Sequence, residues 1–282
     1  MKVLPFKIPK PENKAIVYQE YQEAFLYGRL HQHEEIQLSL IVSGGGTLII
    51  GDAVTAFQTG DILVIGSKLP HVFKSDVSDT EKSHMISLFF GKDSFGKDFF
   101  NLNEFIELQS FFDRSSYGLK VLSHKTELQK LFLEFKNASN LKKFISLFSI
   151  LQLISESRTT RLSSFIYQKN YSNHEGKHIS DVFEHTMDNF QNQISLSEIA
   201  GVANMTVNSF CRYFKQRTNK TYIQFLTDVR IEHACKLLRK NPDMPIADVA
   251  MFSGFNNIAG FNRKFKNIKK TTPLKFKARF SY

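Results

Sequence analysis

Two stretches near the C-terminus repeat one another. "LSEIAGVANMTVNSFCRYFKQRTNKTYIQF", Leu196 to Phe225, aligns with "IADVAMFSGFNNIAGFNRKFKNIKKTTPLKF", Ile246 to Phe276. Ile199 and Ala200 correspond to Val249 and Ala250 at a spacing of 50. Phe210, Arg212, Phe214, Lys215, Thr221 and Phe225 correspond to Phe261, Arg263, Phe265, Lys266, Thr272 and Phe276 at a spacing of 51. One residue is therefore inserted in the turn of the second copy. A repeat of this length means that one supersecondary unit is used twice, and it constrains the fold of this region more than any composition does.

Each copy reads as helix, tight turn, helix. In the first, Ser195 precedes a short helix over Leu196–Ala203, "ANMT" turns the chain, and Thr206 caps the next helix. In the second, Gly254 supplies the turn and Asn256 or Asn257 the cap. Successive helical residues rotate by about 100°, so Phe210 and Phe214 share one face, as do Phe261 and Phe265. Aromatic residues spaced four apart are core residues in most helices, and these are read as core anchors. A second face carries Asn208, Arg212 and Lys215, flanked by Ser209 and Cys211, and its counterpart carries Ala259, Arg263 and Lys266 beside Asn262. Arg pairs bidentately with a guanine edge and Asn with an adenine edge, whereas Lys and capping groups such as Asn257 suit phosphates. A polar helix face is more often merely solvated. Two matched copies with turn signals and arginines in register favour DNA instead.

Charge supports that choice. Lys177–Tyr282 holds 17 Lys and Arg against 8 Asp and Glu, while the other 176 residues hold 20 against 19. The basic excess is thus concentrated beside the repeat, where a polyanionic partner would sit. "FLTDVRIEHACKLLRK", Phe225 to Lys240, lies between the copies and reads as a buried helical strut through Phe225, Leu226, Val229, Ala234, Leu237 and Leu238. Two such units in one chain would present two helices to successive major grooves, roughly 34 Å apart.

Upstream, the period changes to two. "EIQLSLIVSGGGTLIIGD", "GDILVIG" and "HMISLFF" are short strands broken at Gly and Asp, which predicts a β-sandwich or barrel up to about residue 95. From about Phe99, "NLNEFIELQSFF", "KTELQKLFLEF" and "NLKKFISLFSILQLISES" read as helices. The last has a wide apolar arc. Leu141, Phe144, Ile145, Phe148 and Leu151 trace one face, and Leu147, Ile150, Leu153 and Ile154 extend it, so a dimer interface is weighed there against packing within the chain. Residues 158–177 read as a linker, with a short helix around Ser164–Tyr167. The expected plan is α+β: a β unit over 1–95, a helical extension over 96–157, the linker, and an all-α unit over 178–282 with two helix-turn-helix units.

"RIEHACKLL" and "IADVAMFSGFNNIAGFNRKFKNIKKTTPLKFK" resemble the signature of the AraC-type transcriptional regulators, and the resemblance covers Ile179–Tyr282. It implies a double helix-turn-helix that binds double-stranded promoter DNA and usually activates transcription through RNA polymerase. By position, the base-facing residues it implies are Asn208, Cys211 and Arg212, then Ala259, Asn262 and Arg263. The chain departs from the family at Lys270 and Thr271, where a Gly often precedes the conserved Pro. Ala259 offers a methyl group only, and Gly260 lies inside the second helix, so readout by the second unit is expected to be weaker.

"LHQHEEIQLSLIVSGGGTLIIGD" and "FQTGDILVIGSKLPHVF" resemble the two cupin motifs. His31, His33, Gln37 and His71 fall where metal-binding cupins place three His and one carboxylate, with an amide standing at the carboxylate position; Glu34 or Glu35 would substitute only if the strand slipped. These four residues line an effector or metal pocket, and of the two a small-molecule effector is preferred. No cofactor, resident metal or catalytic set is expected, so the chain reads as a regulator and not an enzyme. The alternative is a metal-dependent cupin enzyme with an appended DNA-binding region. Cys211 and Cys235 form no CxxC pair, no apolar run approaches the ~18 residues of a membrane span, and the start lacks a signal-peptide stretch, so a cytoplasmic protein, possible as a homodimer, is expected.

Overall fold

Strand residues that alternate between two buried faces need cover on both sides, and the N-terminal unit supplies it. The computed structural model describes residues 14–23, 26, 28–76, 82–166 and 173–280. The chain divides into two units between Asn173 and His174.

In the N-terminal unit, β1 (Val17–Glu23), β2 (Ile36–Ser43), β3 (Gly45–Ile50), β4 (Ala53–Gln58), β5 (Ile62–Ile65), β6 (His71–Ser75), β7 (Ser83–Phe90), β8 (Leu119–Val121) and β9 (Thr159–Arg161) form two antiparallel sheets. One has the order β1-β7-β2-β5-β8-β9, the other β4-β3-β6. Helices α1 (Ile106–Ser115), α2 (Lys125–Phe135) and α3 (Asn140–Glu156) follow the β-rich segment. Ile41, Leu63, Ile65 and Met85 of the larger sheet meet Leu48, Ile50, Phe57 and Phe73 of the smaller one in one core. Leu38, Leu40, Val64, Ile86 and Leu88 point the other way, onto Phe111, Phe132, Leu147, Ile150 and Ile154 of the three helices. The larger sheet is therefore buried on both faces, which is why β5 has no exposed residue.

Three expectations change here. The helices over 96–157 share a core with the sheet and contribute β8 to it, so they are part of one packed unit and not an appendage. The stretch expected to be linker contains β9, which pairs with β8, and the start of helix α4 (Asn173–Asn189). Residues 164–166 are not helical, and Tyr167 lies outside the described residues. Three-residue strands carry too little periodicity to be read from sequence.

The C-terminal unit holds α4, α5 (Leu196–Val202), α6 (Val207–Thr218), α7 (Tyr222–Lys240), α8 (Ile246–Phe252), α9 (Ile258–Lys269) and α10 (Pro273–Lys277). The duplication extends to backbone detail. Asn204 (φ 53°) and Gly254 (φ 82°) turn the two copies, and Asn219 and Lys270, both at φ 55°, end α6 and α9 in the left-handed region. Thr221 and Thr272 cap the helices that follow. Helix α7 begins at Tyr222, three residues before the expected strut, because Thr221 and Gln224 form a capping box. Its first half receives the first copy, with Phe214 at 5.5 Å from Tyr222 and 5.6 Å from Phe225. Its second half receives the second copy, with Ile231, Ala234, Cys235 and Leu238 packed against Val249, Ala250, Phe261 and Phe265.

Candidate nucleic-acid interface and histidine pocket

Helix α5 starts on a capping box in which the Ser195 hydroxyl accepts from Glu198 N at 3.1 Å and Ser195 N donates back to the Glu198 carboxylate. The chain turns at Asn204, and Thr206 Oγ1 accepts from Ser209 N to open α6. In the second copy Asn257, not Asn256, is the cap, its Oδ1 accepting from Ala259 N at 2.8 Å and Gly260 N at 3.1 Å. The inserted residue thus falls between Gly254 and Asn257. A Cβ on Gly254 would lie 2.6 Å from the Phe190 carbonyl oxygen, so this turn needs glycine for both space and φ.

Phe210, Phe214, Phe261 and Phe265 have no exposed surface. Asn208, Ser209, Cys211, Arg212 and Lys215 on α6 are all exposed, as are Asn257, Ala259, Asn262, Arg263 and Lys266 at the start and along α9. Among the described residues, Arg212, Lys215, Arg263 and Lys266 have no ion-pair partner. Each second helix is therefore anchored by its aromatic back and offers cations to solvent on its front.

Helix α7 and the α4–α5 connection hold the two copies in place, through residues that no spacing pattern singles out. Arg230 of α7 donates through Nε to Phe190 O and through a terminal nitrogen to Asn192 O, both at 2.7 Å. Gln191, on the same α4–α5 connection, donates to Phe252 O at the end of α8 at 2.7 Å. Lys269 of α9 pairs with the buried Glu232 of α7.

In the N-terminal unit, His31, His33 and His71 do come together. Each has one ring nitrogen in a group whose members lie within 4.8 Å of one another. Their exposures are 9%, 5% and 0%, and Gln37 is 3% exposed. Backbone amides and carbonyls of His31 and His71 bond reciprocally at 3.0 and 2.9 Å, which joins the segment before β2 to the start of β6. His71 is thus the first residue of β6. All three Nδ1 atoms face backbone carbonyls: Arg29 O at 2.8 Å, Glu35 O at 2.9 Å and Leu69 O at 2.8 Å. A carbonyl only accepts, so Nδ1 carries the proton and Nε2 the lone pair in each neutral ring. Burial pushes the pKa of His31 down to about 4, that of His33 down, and that of His71 well below the usual range, so all three are neutral at pH 7. His71 Nε2 is buried without a hydrogen-bond partner. Gln37 places Oε1 3.1 Å from His33 Nε2, and its nitrogen donates to Ser39 Oγ at 2.8 Å.

This donor set has the chemistry of a divalent transition-ion site: neutral imidazoles with Nδ1–H held by carbonyls, each with one ring nitrogen within 4.8 Å of the others. Ligands bound at about 2.1 Å in a tetrahedral site stand roughly 3.4 Å apart, close to the Gln37–His33 spacing. The glutamates do not join it. Glu34 pairs with Lys68 at 3.2 Å, and the Glu35 carboxylate lies 4.0 Å from His33 Nδ1, behind the ring.

Residues 199–279 match a family described as a helix-turn-helix domain. An uncharacterised HTH-type transcriptional regulator of Bacillus subtilis, YdeC, is 34% identical over 85 residues, 30% of this chain and 29% of its own length. The HTH-type transcriptional activator RhaR of Mannheimia succiniciproducens is 23% identical over 267 residues, 89% of this chain and 87% of its own. The structure of ToxT from Vibrio cholerae covers 95% of this chain and 100% of its own at 14% identity, with a TM-score of 0.38. The matched segment and the paired geometry of α5–α6 and α8–α9 show a helix-turn-helix domain in which the unit occurs twice.

Proposed function

We propose that the protein controls transcription by inserting α6 and α9 into successive major grooves of promoter DNA, and that a ligand held by the N-terminal unit sets how well it does so. The observation that carries this reading is the division of each second helix into a fully buried phenylalanine pair and an exposed row of Arg, Asn and Lys without ion-pair partners. The Arg residues read base edges, and Lys215, Lys266, Ser209 and Asn257 meet phosphates. Activation is the mode we assign, because a relative matched over most of its length is named a transcriptional activator. The ligand site is the pocket of His31, His33, Gln37 and His71, and it serves sensing and not catalysis: its fourth position is an amide, and neither neighbouring glutamate reaches it to act as acid or base.

The test is selection of a preferred duplex by the full-length protein, followed by fluorescence anisotropy at several salt concentrations. Lys215→Ala should weaken selected and random duplexes alike and reduce the salt slope by about 1. A protein that shows no preference among duplexes, or whose binding does not respond to salt, would refute the reading.

A further inference from the structure

A single apolar side chain left in solvent needs no explanation. An exposed apolar side chain kept at the same place in both copies of a repeat does. Val207 and Ile258 stand 51 residues apart, the spacing that relates Phe210 to Phe261 and Arg212 to Arg263. Val207 is the first residue of α6 and Ile258 the first of α9. They are 37% and 46% exposed. The helix caps lie elsewhere: Thr206 accepts from Ser209 N, and Asn257 accepts from Ala259 N and Gly260 N. The core of the second copy takes Phe261, Phe265 and Ile268 from α9 and leaves Ile258 outside.

Position on the helix matters as much as exposure. Four helical residues advance the wheel by about 40°, so Val207 lies one turn before Cys211 and on nearly the same line. Ile258 stands in the same relation to Asn262. Each apolar side chain thus begins the row of exposed residues that includes Arg212 in one copy and Arg263 in the other. In a helix laid along a major groove, the first turn is the part that meets base edges. A valine or isoleucine placed there has no donor or acceptor, so it cannot read the polar groups of the bases. The C5 methyl group of thymine is the apolar feature of that groove, and apolar side chains pack on it. Both residues are β-branched, with one strongly preferred χ1 rotamer in a helix, so their methyl groups are held in place before DNA arrives.

We propose that Val207 and Ile258 are specificity-determining residues, each packing on the methyl group of a thymine in one half of the recognised duplex. The inference rests on the function proposed above and deepens it, adding an apolar readout to the hydrogen bonds of the arginines. A second exposed apolar pair has the same spacing. Ile223 and Leu274, 46% and 67% exposed, are the second residues of α7 and α10 and not part of the reading helices. Ile223 therefore serves as the control for removing an exposed apolar side chain.

The test is to select a preferred duplex with the full-length protein and to replace its thymines by uracil one at a time. Uracil pairs with adenine as thymine does and lacks only the C5 methyl group. Fluorescence anisotropy reads the affinity for each duplex. For the parent, one replacement in each half should weaken binding about fourfold, the effect of exposing one buried methyl group. Val207→Ala should bind the unmodified duplex about fourfold more weakly or worse. It should be indifferent to uracil in one half and keep the parent's response in the other. Ile258→Ala should show the converse, and Ile223→Ala should keep the whole uracil profile of the parent. A selected duplex whose affinity ignores every uracil replacement overturns the inference, and so do uracil losses that persist undiminished in both Val207→Ala and Ile258→Ala. A loss abolished by only one of the two variants overturns the assignment of the other residue. Failure to select any duplex refutes the function proposed above, a result distinct from a selected duplex whose methyl groups go unread.

Discussion

Arg212 and Arg263 hold equivalent positions in the repeat, both exposed, but their neighbours differ. Arg212 shares its face with Asn208 and Cys211, whereas Arg263 shares its face with Ala259 and Asn262 on a helix that contains Gly260. A bidentate Arg–guanine pair discriminates by about 1–3 kcal/mol. Arg212→Ala should therefore weaken binding to the preferred duplex roughly tenfold or more, and Arg263→Ala by less, as measured by anisotropy; equal losses would contradict the inequality of the two units. Gly260 invites a separate test. The nearest atom to a Cβ built there is Asn257 Cβ at 3.9 Å, so the site has room for a side chain. Gly260→Ala should stabilise the protein by about 1 kcal/mol through helix propensity, seen as a higher melting temperature. Lys270 ends α9 at φ 55°, a conformation in which glycine would carry no Cβ penalty.

At the scale of elements, α3 is the instructive case. Periodicity showed a wide apolar arc, but not which part of it faces inward. Leu147, Ile150, Leu151 and Ile154 are fully buried under the sheet, and Leu141 and Ile145 are 70% and 56% exposed. Leu147→Asp should thus unfold the unit, at a cost of about 4 kcal/mol or more, and a denaturation curve would show it. Leu141→Asp should leave stability within about 0.5 kcal/mol. It is the informative variant for a dimer: a fall in solution mass by light scattering would place an interface on α3, and an unchanged mass would put any interface elsewhere. Strands β2, β3, β5 and β7, helices α1–α3, and the helix-turn-helix pair with its caps at Ser195 and Thr206 were legible because each carries a long period or a capping residue in place. The three-residue strands β8 and β9 were not, since three residues hold no period and their pairing is fixed by partners far along the chain. The histidines could be picked out by spacing. The tautomers that direct their lone pairs depend on carbonyls of Arg29, Glu35 and Leu69, and no pattern of side chains encodes those.

For the molecule as a whole, the C-terminal unit depends on contacts that tie its two copies to shared supports. The Arg230 guanidinium, its pKa lowered by burial, clamps the α4–α5 connection to α7, and Gly254 packs against that same connection. Arg230→Met keeps the apolar stem and removes both hydrogen bonds. It should destabilise the unit by about 2 kcal/mol and weaken DNA binding even though Arg230 lies off the proposed reading face, with thermal melts and anisotropy as the measurements. Among the described residues no helix is long and apolar enough to cross a membrane. Helix α7 is the spine both copies share: its first half completes the core of one copy and its second half that of the other. Cutting the chain within that spine would strip one copy of its floor, so neither copy is built to stand alone.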